Sequence, residues 1–100
     1  MVRVERFGKW FLIVNSAGGF GKFTLSADSD TLYVYDVEGY KIVNDIFSYV
    51  CEVSRQMGLK QTKSHVSNDR LIKWYEYRTR HDPLMTFDLA TRICTRLNHE

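Results

Sequence analysis

Proline occurs once in the 100 residues, at Pro83, and cysteine twice, at Cys51 and Cys94. Two cysteines without a recurrent spacing give neither a disulfide scaffold nor a zinc site, and free thiols in a cytoplasmic, intracellular protein are the expectation. Low-complexity tracts are absent, which argues against disorder. No apolar run reaches the length of a membrane span, and MVRVERFGKW at the start alternates charge with valine rather than forming a signal-peptide core. No membrane partner is therefore expected. Charge of one sign is also lacking: the formal net charge is +2, short of the excess typical of a dedicated nucleic-acid binder.

What is there is aromatic and unevenly charged. Six Phe, six Tyr and two Trp can supply most of a core or a contact surface. Residues 1–25 carry four basic residues and one acidic, residues 26–54 six acidic and Lys41 alone, and residues 55–100 nine basic and five acidic. A basic–acidic–basic chain allows a two-faced surface. The length fits one domain over 1–100.

Hydrophobic periodicity gives the elements. Trp10–Asn15 is apolar at both alternating sets, the pattern of a central strand covered on both sides. Lys22–Ala27 and Thr31–Val37 follow as strands, separated by the Asp28-Ser29-Asp30 turn. Residues 41–57 form the clearest helix, with Val43, Ile46, Phe47, Val50, Val53 and Met57 on one stripe and Gly58 as the stop. Residues 60–69 are polar and suggest a loop. Trp74, Tyr75 and Tyr77 favour a strand over 70–80. Residues 84–98 have two readings. Asp82-Pro83 is a helix start, whereas Met85, Phe87, Leu89, Ile93 and Leu97 share one face only in extended chain, as a hairpin turning near Ala90–Arg92. The expected fold is α+β: a small antiparallel sheet of five to six strands in the order β-β-β-α-β-β, with one amphipathic helix packed on one face.

Two stretches raise functional questions. Residues 15–24, NSAGGFGKFT, resemble a phosphate-binding glycine loop with its lysine. A phosphate loop must open a helix, and FTLSADSD instead alternates as a strand. The stretch is therefore expected to be a flexible hairpin tip in which Gly18, Gly19 and Gly21 supply positive φ and Phe20 and Lys22 meet a partner. Residues 71–81, LIKWYEYRTRH, interleave Lys73, Arg78 and Arg80 with Trp74, Tyr75 and Tyr77, and Arg92 and Arg96 would extend that patch from a neighbouring strand. Aromatic and basic side chains on a sheet suit a protein hot spot or single-stranded nucleic acid.

No constellation carries catalysis. The Asp28-Ser29-Asp30 cluster lacks the ligand count of a calcium loop, His65, His81 and His99 lack ligand spacing, and no base is placed beside either cysteine. Cys51 is expected beside the apolar stripe and Cys94 pointing outward. No metal or cofactor is expected. These features describe a non-enzymatic interaction protein that binds a larger cellular or host protein stoichiometrically as a regulator or inhibitor, of the kind viruses and phages encode. A nucleic-acid-binding module using strand 71–80 is the alternative, and a small nucleotide-binding or hydrolytic domain the disfavoured third. Monomer and homodimer are both compatible with the sequence.

Overall fold

The computed structural model describes residues 2–98. Among these, seven strands form one sheet: β1 (Val2–Phe7), β2 (Trp10–Asn15), β3 (Phe20–Asp28), β4 (Thr31–Tyr40), β5 (Gln61–His65), β6 (Met85–Asp88) and β7 (Ile93–Leu97). Helix α1 (Val43–Gln56) crosses from β4 to β5. Helix α2 (Ile72–His81), entered through a 3-10 turn over Asp69–Leu71, leads to β6. The spatial order is β1-β2-β3-β4-β5-β7-β6.

β1 to β4 are a meander of antiparallel hairpins, and β5-β7-β6 is a second antiparallel unit. The two units join through one parallel pair, Thr31–Val34 of β4 against Gln61–Ser64 of β5. Only a crossover such as α1 can make two consecutive strands parallel neighbours. The architecture corrects the expected one: α+β holds, but the sheet has seven strands rather than five to six, is mixed rather than antiparallel, and carries two helices rather than one.

Each departure has a local cause. β5 was hidden because its inward positions are Thr62 and Ser64, buried but polar, so no apolar alternation marks it. The Trp-Tyr-rich stretch forms α2 instead of a strand because Asn68 starts a helical turn, accepting the Arg70 backbone N–H at 3.0 Å. Arg78, Arg80 and His81 then fall in the last helical turn, where cations are favoured. Helical spacing turns Tyr75 inward and Tyr77 out to 54 % exposure, which β propensity alone would not separate. Residues 84–98 adopt the hairpin, with its turn between Asp88 and Ile93.

Both helices lie on one face of the sheet. Trp74 Nε1 of α2 donates to Asn44 Oδ1 of α1 at 3.2 Å, and the Phe47 and Trp74 rings meet edge-on with centroids 5.5 Å apart. Ile13, Phe23, Leu32, Val34 and Val37 from the sheet pack with Ile42, Ile46 and Val50 of the α1 segment. Phe47, Val66, Tyr75, Met85 and Cys94 form a second cluster beneath α2. At about 1.5–3 kcal/mol for each large apolar side chain taken from water, these two clusters account for the order of the layers. Cys94 therefore points into the core, not outward, and is 2 % exposed.

Among the described residues no helix covers the other face. On β2, Ile13 is fully buried while Leu12 and Val14, pointing the other way, are 38 % and 43 % exposed. The doubly apolar pattern of Trp10–Asn15 thus marks a strand with one covered face and one open apolar face, not a strand covered on both sides.

Candidate functional site

The parallel pair of β4 and β5 stops at Val34 and Ser64, although β4 runs on to Tyr40. β5 itself ends one residue later, at His65, and β4 changes course at the same level. Lys22 faces Glu38 and Thr24 faces Tyr35, so two β4 residues, Asp36 and Val37, stand against Phe23 alone. This is a β-bulge, and Asp36 takes a φ of 55°. The extra residue keeps Val37 facing the core after Leu32 and Val34, and it bends β4 away from β5. Bulges re-aim strands in this way beside binding sites.

The result is a fork. A cleft of about 480 Å³ lies there, lined by Trp10, Asp36, Val37, Glu38, Ser67, Asn68 and Arg70. It occupies the carboxyl end of a parallel strand pair, where open sheets bind their ligands. Past the fork, β4 offers backbone N–H and C=O groups that have no strand partner on that side among the described residues. Glu38 is held by Lys22 at 3.4 Å, and Lys22 also lies over the Trp10 ring at 4.4 Å. Among the described residues Asp36 forms no ion pair.

At the crotch of the fork the Tyr75 and Ser64 hydroxyls are 3.0 Å apart. Burial pushes the Tyr75 phenol up to about 12, against the opposing effect of its Ser64 hydrogen bond. Tyr75 therefore stays protonated across the working range and shares one hydrogen bond with Ser64 at the end of the parallel pair.

The chain leaves the fork through Gly39, Tyr40 and Lys41 and enters α1. No side chain caps that helix, whose first intrahelical bond runs from Ile46 N–H to Ile42 C=O. The N–H groups of Val43, Asn44 and Asp45 precede that bond, and a helix N-terminus of this kind favours an anion. The glycine loop abuts the same end. Asn15 Oδ1 accepts the N–H groups of Ala17 at 3.0 Å and Gly19 at 2.7 Å, while its Nδ2 donates to Lys41 O at 3.1 Å and Asp45 Oδ2 at 2.8 Å. The loop is thus a strut that fixes the start of α1, rather than a free tip. Of its glycines only Gly18 has positive φ, at 88°. Gly19 and Gly21 are required for space: a Cβ would stand 2.3 Å from Lys41 O in the first and 2.5 Å from Glu38 O in the second.

The contact residues expected from sequence do not form one patch. Phe20 is 58 % exposed with its ring 5.9 Å from Tyr40, beside the fork strand, and Lys22 serves Glu38. Trp74 and Tyr75 face the core, Arg78 lies over the Phe47 and Trp74 rings, and Tyr77 stacks on His81. Lys73 and Arg80 line a separate open cleft with Glu76, Thr79, Phe87 and Leu89. Arg92 is paired with Asp69, and Arg96 with Asp82 at 2.8 Å. The aromatic-basic sheet surface that suggested base stacking is not formed, because residues 72–81 are a helix. Asp36 and Ser64 were missed altogether. The interruption of alternation at Asp36, between Val34 and Val37, was the available signal.

Burial raises the Cys51 thiol and takes that of Cys94 up to about 12, so neither is poised as a nucleophile. Among the described residues no group of three His, Cys, Asp or Glu side chains could hold a metal ion, and no helix is long and apolar enough to cross a membrane.

No protein-family profile matches the chain, and no curated protein matches it in sequence. Solved structures do match in fold. N-acetylglutamate synthase from Neisseria gonorrhoeae, complexed with coenzyme A and N-acetyl-glutamate, superposes with a TM-score of 0.63 at 10% identity, over 99% of this chain and 30% of that one. A protein of Desulfovibrio desulfuricans assigned to the GNAT family of acetyltransferases gives a TM-score of 0.52 at 9% identity, over 88% of this chain and 65% of that one. The chain thus spans under two thirds of the length of either. At such identities the likeness establishes the fold. It also corrects the expectation of a non-enzymatic protein: these two structures of like fold are described as an N-acetylglutamate synthase and an acetyltransferase, so the absence of a catalytic motif in the sequence gives no ground for excluding catalysis. The chain shares its fold with these two structures, and the functional reading rests on its own forked parallel pair.

Proposed function

We propose that the fork between β4 and β5 binds the pantetheine arm of an acyl-coenzyme A and that the chain directs transfer of the acyl group to an amine. The observation that carries the reading is the loss of pairing beyond Val34 and Ser64, where β5 ends at His65 and the Asp36–Val37 bulge turns β4. An extended arm bearing two amides can take up the β4 edge groups that β5 leaves free, as an added strand would. The coenzyme A bound to the Neisseria enzyme of like fold supports this choice of ligand.

The chemistry follows from the groups present. The amine nitrogen attacks the thioester carbonyl, a C–N bond forms and the C–S bond breaks, and the thiolate leaves. Asp36 and Glu38 line the cleft, and Asp36, which forms no ion pair among the described residues, would take the proton that the attacking ammonium loses, Glu38 being held by Lys22. The first turn of α1 with Lys41 offers donors and a positive charge to the phosphates.

The test is incubation with acetyl-coenzyme A and a panel of primary amines, reading released thiol and acylated amine together. Stoichiometric appearance of both supports the proposal. Absence of thiol release with every amine, in protein shown to be folded, contradicts transfer.

A further inference from the structure

Among the described residues β1 is an edge strand with no strand paired to its outer side. Its hairpin with β2 closes on Phe7 and Trp10 around Gly8, at φ 60°, and Lys9. A two-residue loop makes its closing pair hydrogen-bonded, and hydrogen-bonded pairs then alternate along the ladder. Phe7, Glu5 and Arg3 therefore aim their backbone groups at β2, while Val2, Val4 and Arg6 aim theirs outward. Side chains alternate with the same period: Val4 packs on the helix-side core, and Arg3 and Glu5 stand on the open face, where they form an ion pair at 3.5 Å.

We propose that two copies of this chain pair antiparallel along β1, with Val4 on the two-fold axis, making one continuous sheet. The register is selected by charge. Facing residues in an antiparallel pair must share a face, so only shifts by two residues are allowed. A centre on Arg3 sets Arg3 against its own copy, and a centre on Glu5 does the same for Glu5, each a like-charge contact. A centre on Val4 sets Arg3 against the partner's Glu5 and Glu5 against the partner's Arg3. These are the close, non-hydrogen-bonded pairs, at about 4.5 Å between Cα atoms. Val4 against the partner's Val4, and Val2 against the partner's Arg6, are the hydrogen-bonded pairs, matching the outward-facing set. On the helix side, the partner's Arg6 then comes alongside a groove lined by Val2, Val4, Asp45, Ser48, Tyr49 and Glu52, in which Glu52 is already paired with Arg55 and Asp45 bonded by Asn15. The contact is isologous, so it closes as a dimer and leaves no β1 edge exposed.

Sedimentation equilibrium tests this. The unaltered chain is expected to reach a dimer by about 100 μM, a loading that reveals contacts of micromolar strength. Glu5→Arg replaces two attractive pairs by two repulsive ones and should raise the dissociation constant about tenfold. The double reversal R3E/E5R restores the pairs and should restore the dimer. Val4→Pro removes an outward N–H without touching the β2 ladder, and should give a folded monomer by circular dichroism. A chain that stays monomeric throughout overturns the proposal. So does a dimer indifferent to Glu5→Arg and Val4→Pro, or one that R3E/E5R fails to restore.

Discussion

The Tyr75 hydroxyl meets the Ser64 hydroxyl at 3.0 Å on the last rung that β5 shares with β4. One residue comes from a helix and the other from a strand that hydrophobic periodicity did not reveal. Tyr75→Phe keeps the ring against Trp74 and Phe87 but leaves the Ser64 hydroxyl buried without its partner. Unfolding in urea should show a loss of about 1–2 kcal/mol.

Stability should depend on pH at both ends. Burial alone would raise the Asp82 carboxyl, but the Arg96 guanidinium and the Leu84 N–H outweigh it and the net shift is downward. A lowered folded value gives stability that is present above the ordinary carboxylate value of about 3.9 and is lost as pH falls through the folded value. Tyr75 shifts the other way. Its contribution is complete below about 10, the ordinary tyrosine value, and is lost as pH rises through about 12. The urea midpoint measured against pH should fall on both sides, and Asp82→Asn should flatten the acid limb while leaving the alkaline one.

The amphipathic helix, the first three of the strands read from the sequence and the C-terminal hairpin were legible because apolar spacing marks them. β5 was not, since Thr62 and Ser64 are the residues it buries. Without β5 there is no parallel pair, hence no fork and no site. α2 was misread because Trp74, Tyr75 and Tyr77 carry strand propensity, and tertiary packing of Tyr75 overrode it. Asp36 could be seen to break an alternation, but its bulge becomes a site only when β5 stands beside it.

The two kinds of glycine in the 15–21 loop should separate by mutation. Gly18→Ala meets no atom within 4 Å and suffers only its positive φ, about 1–2 kcal/mol. Gly19→Ala drives a Cβ to within 2.3 Å of Lys41 O, so the β2–β3 turn must part from the start of α1. Thermal unfolding should show the Gly19 variant to be clearly the less stable. Equal losses would mean that the turn does not brace the helix.

Asn15 makes the same strut from the other side. Asn15→Ala removes two donated bonds and two accepted ones, to Lys41 O, Asp45, Ala17 and Gly19. At about 0.5–1.5 kcal/mol net for each hydrogen bond, it should cost more than Gly18→Ala. Hydrogen exchange should quicken at the first turn of α1 while the β5-β7-β6 unit stays protected.

Calorimetric titration with coenzyme A and acetyl-coenzyme A bears most directly on the forked pair as a binding site. The account predicts saturable binding at one site per chain. It also predicts that Ser67→Trp, which fills the fork from an exposed position, weakens binding at least about tenfold, the equivalent of 1.4 kcal/mol, without changing the melting temperature. Absence of binding at millimolar ligand, or binding that Ser67→Trp leaves intact, would contradict it.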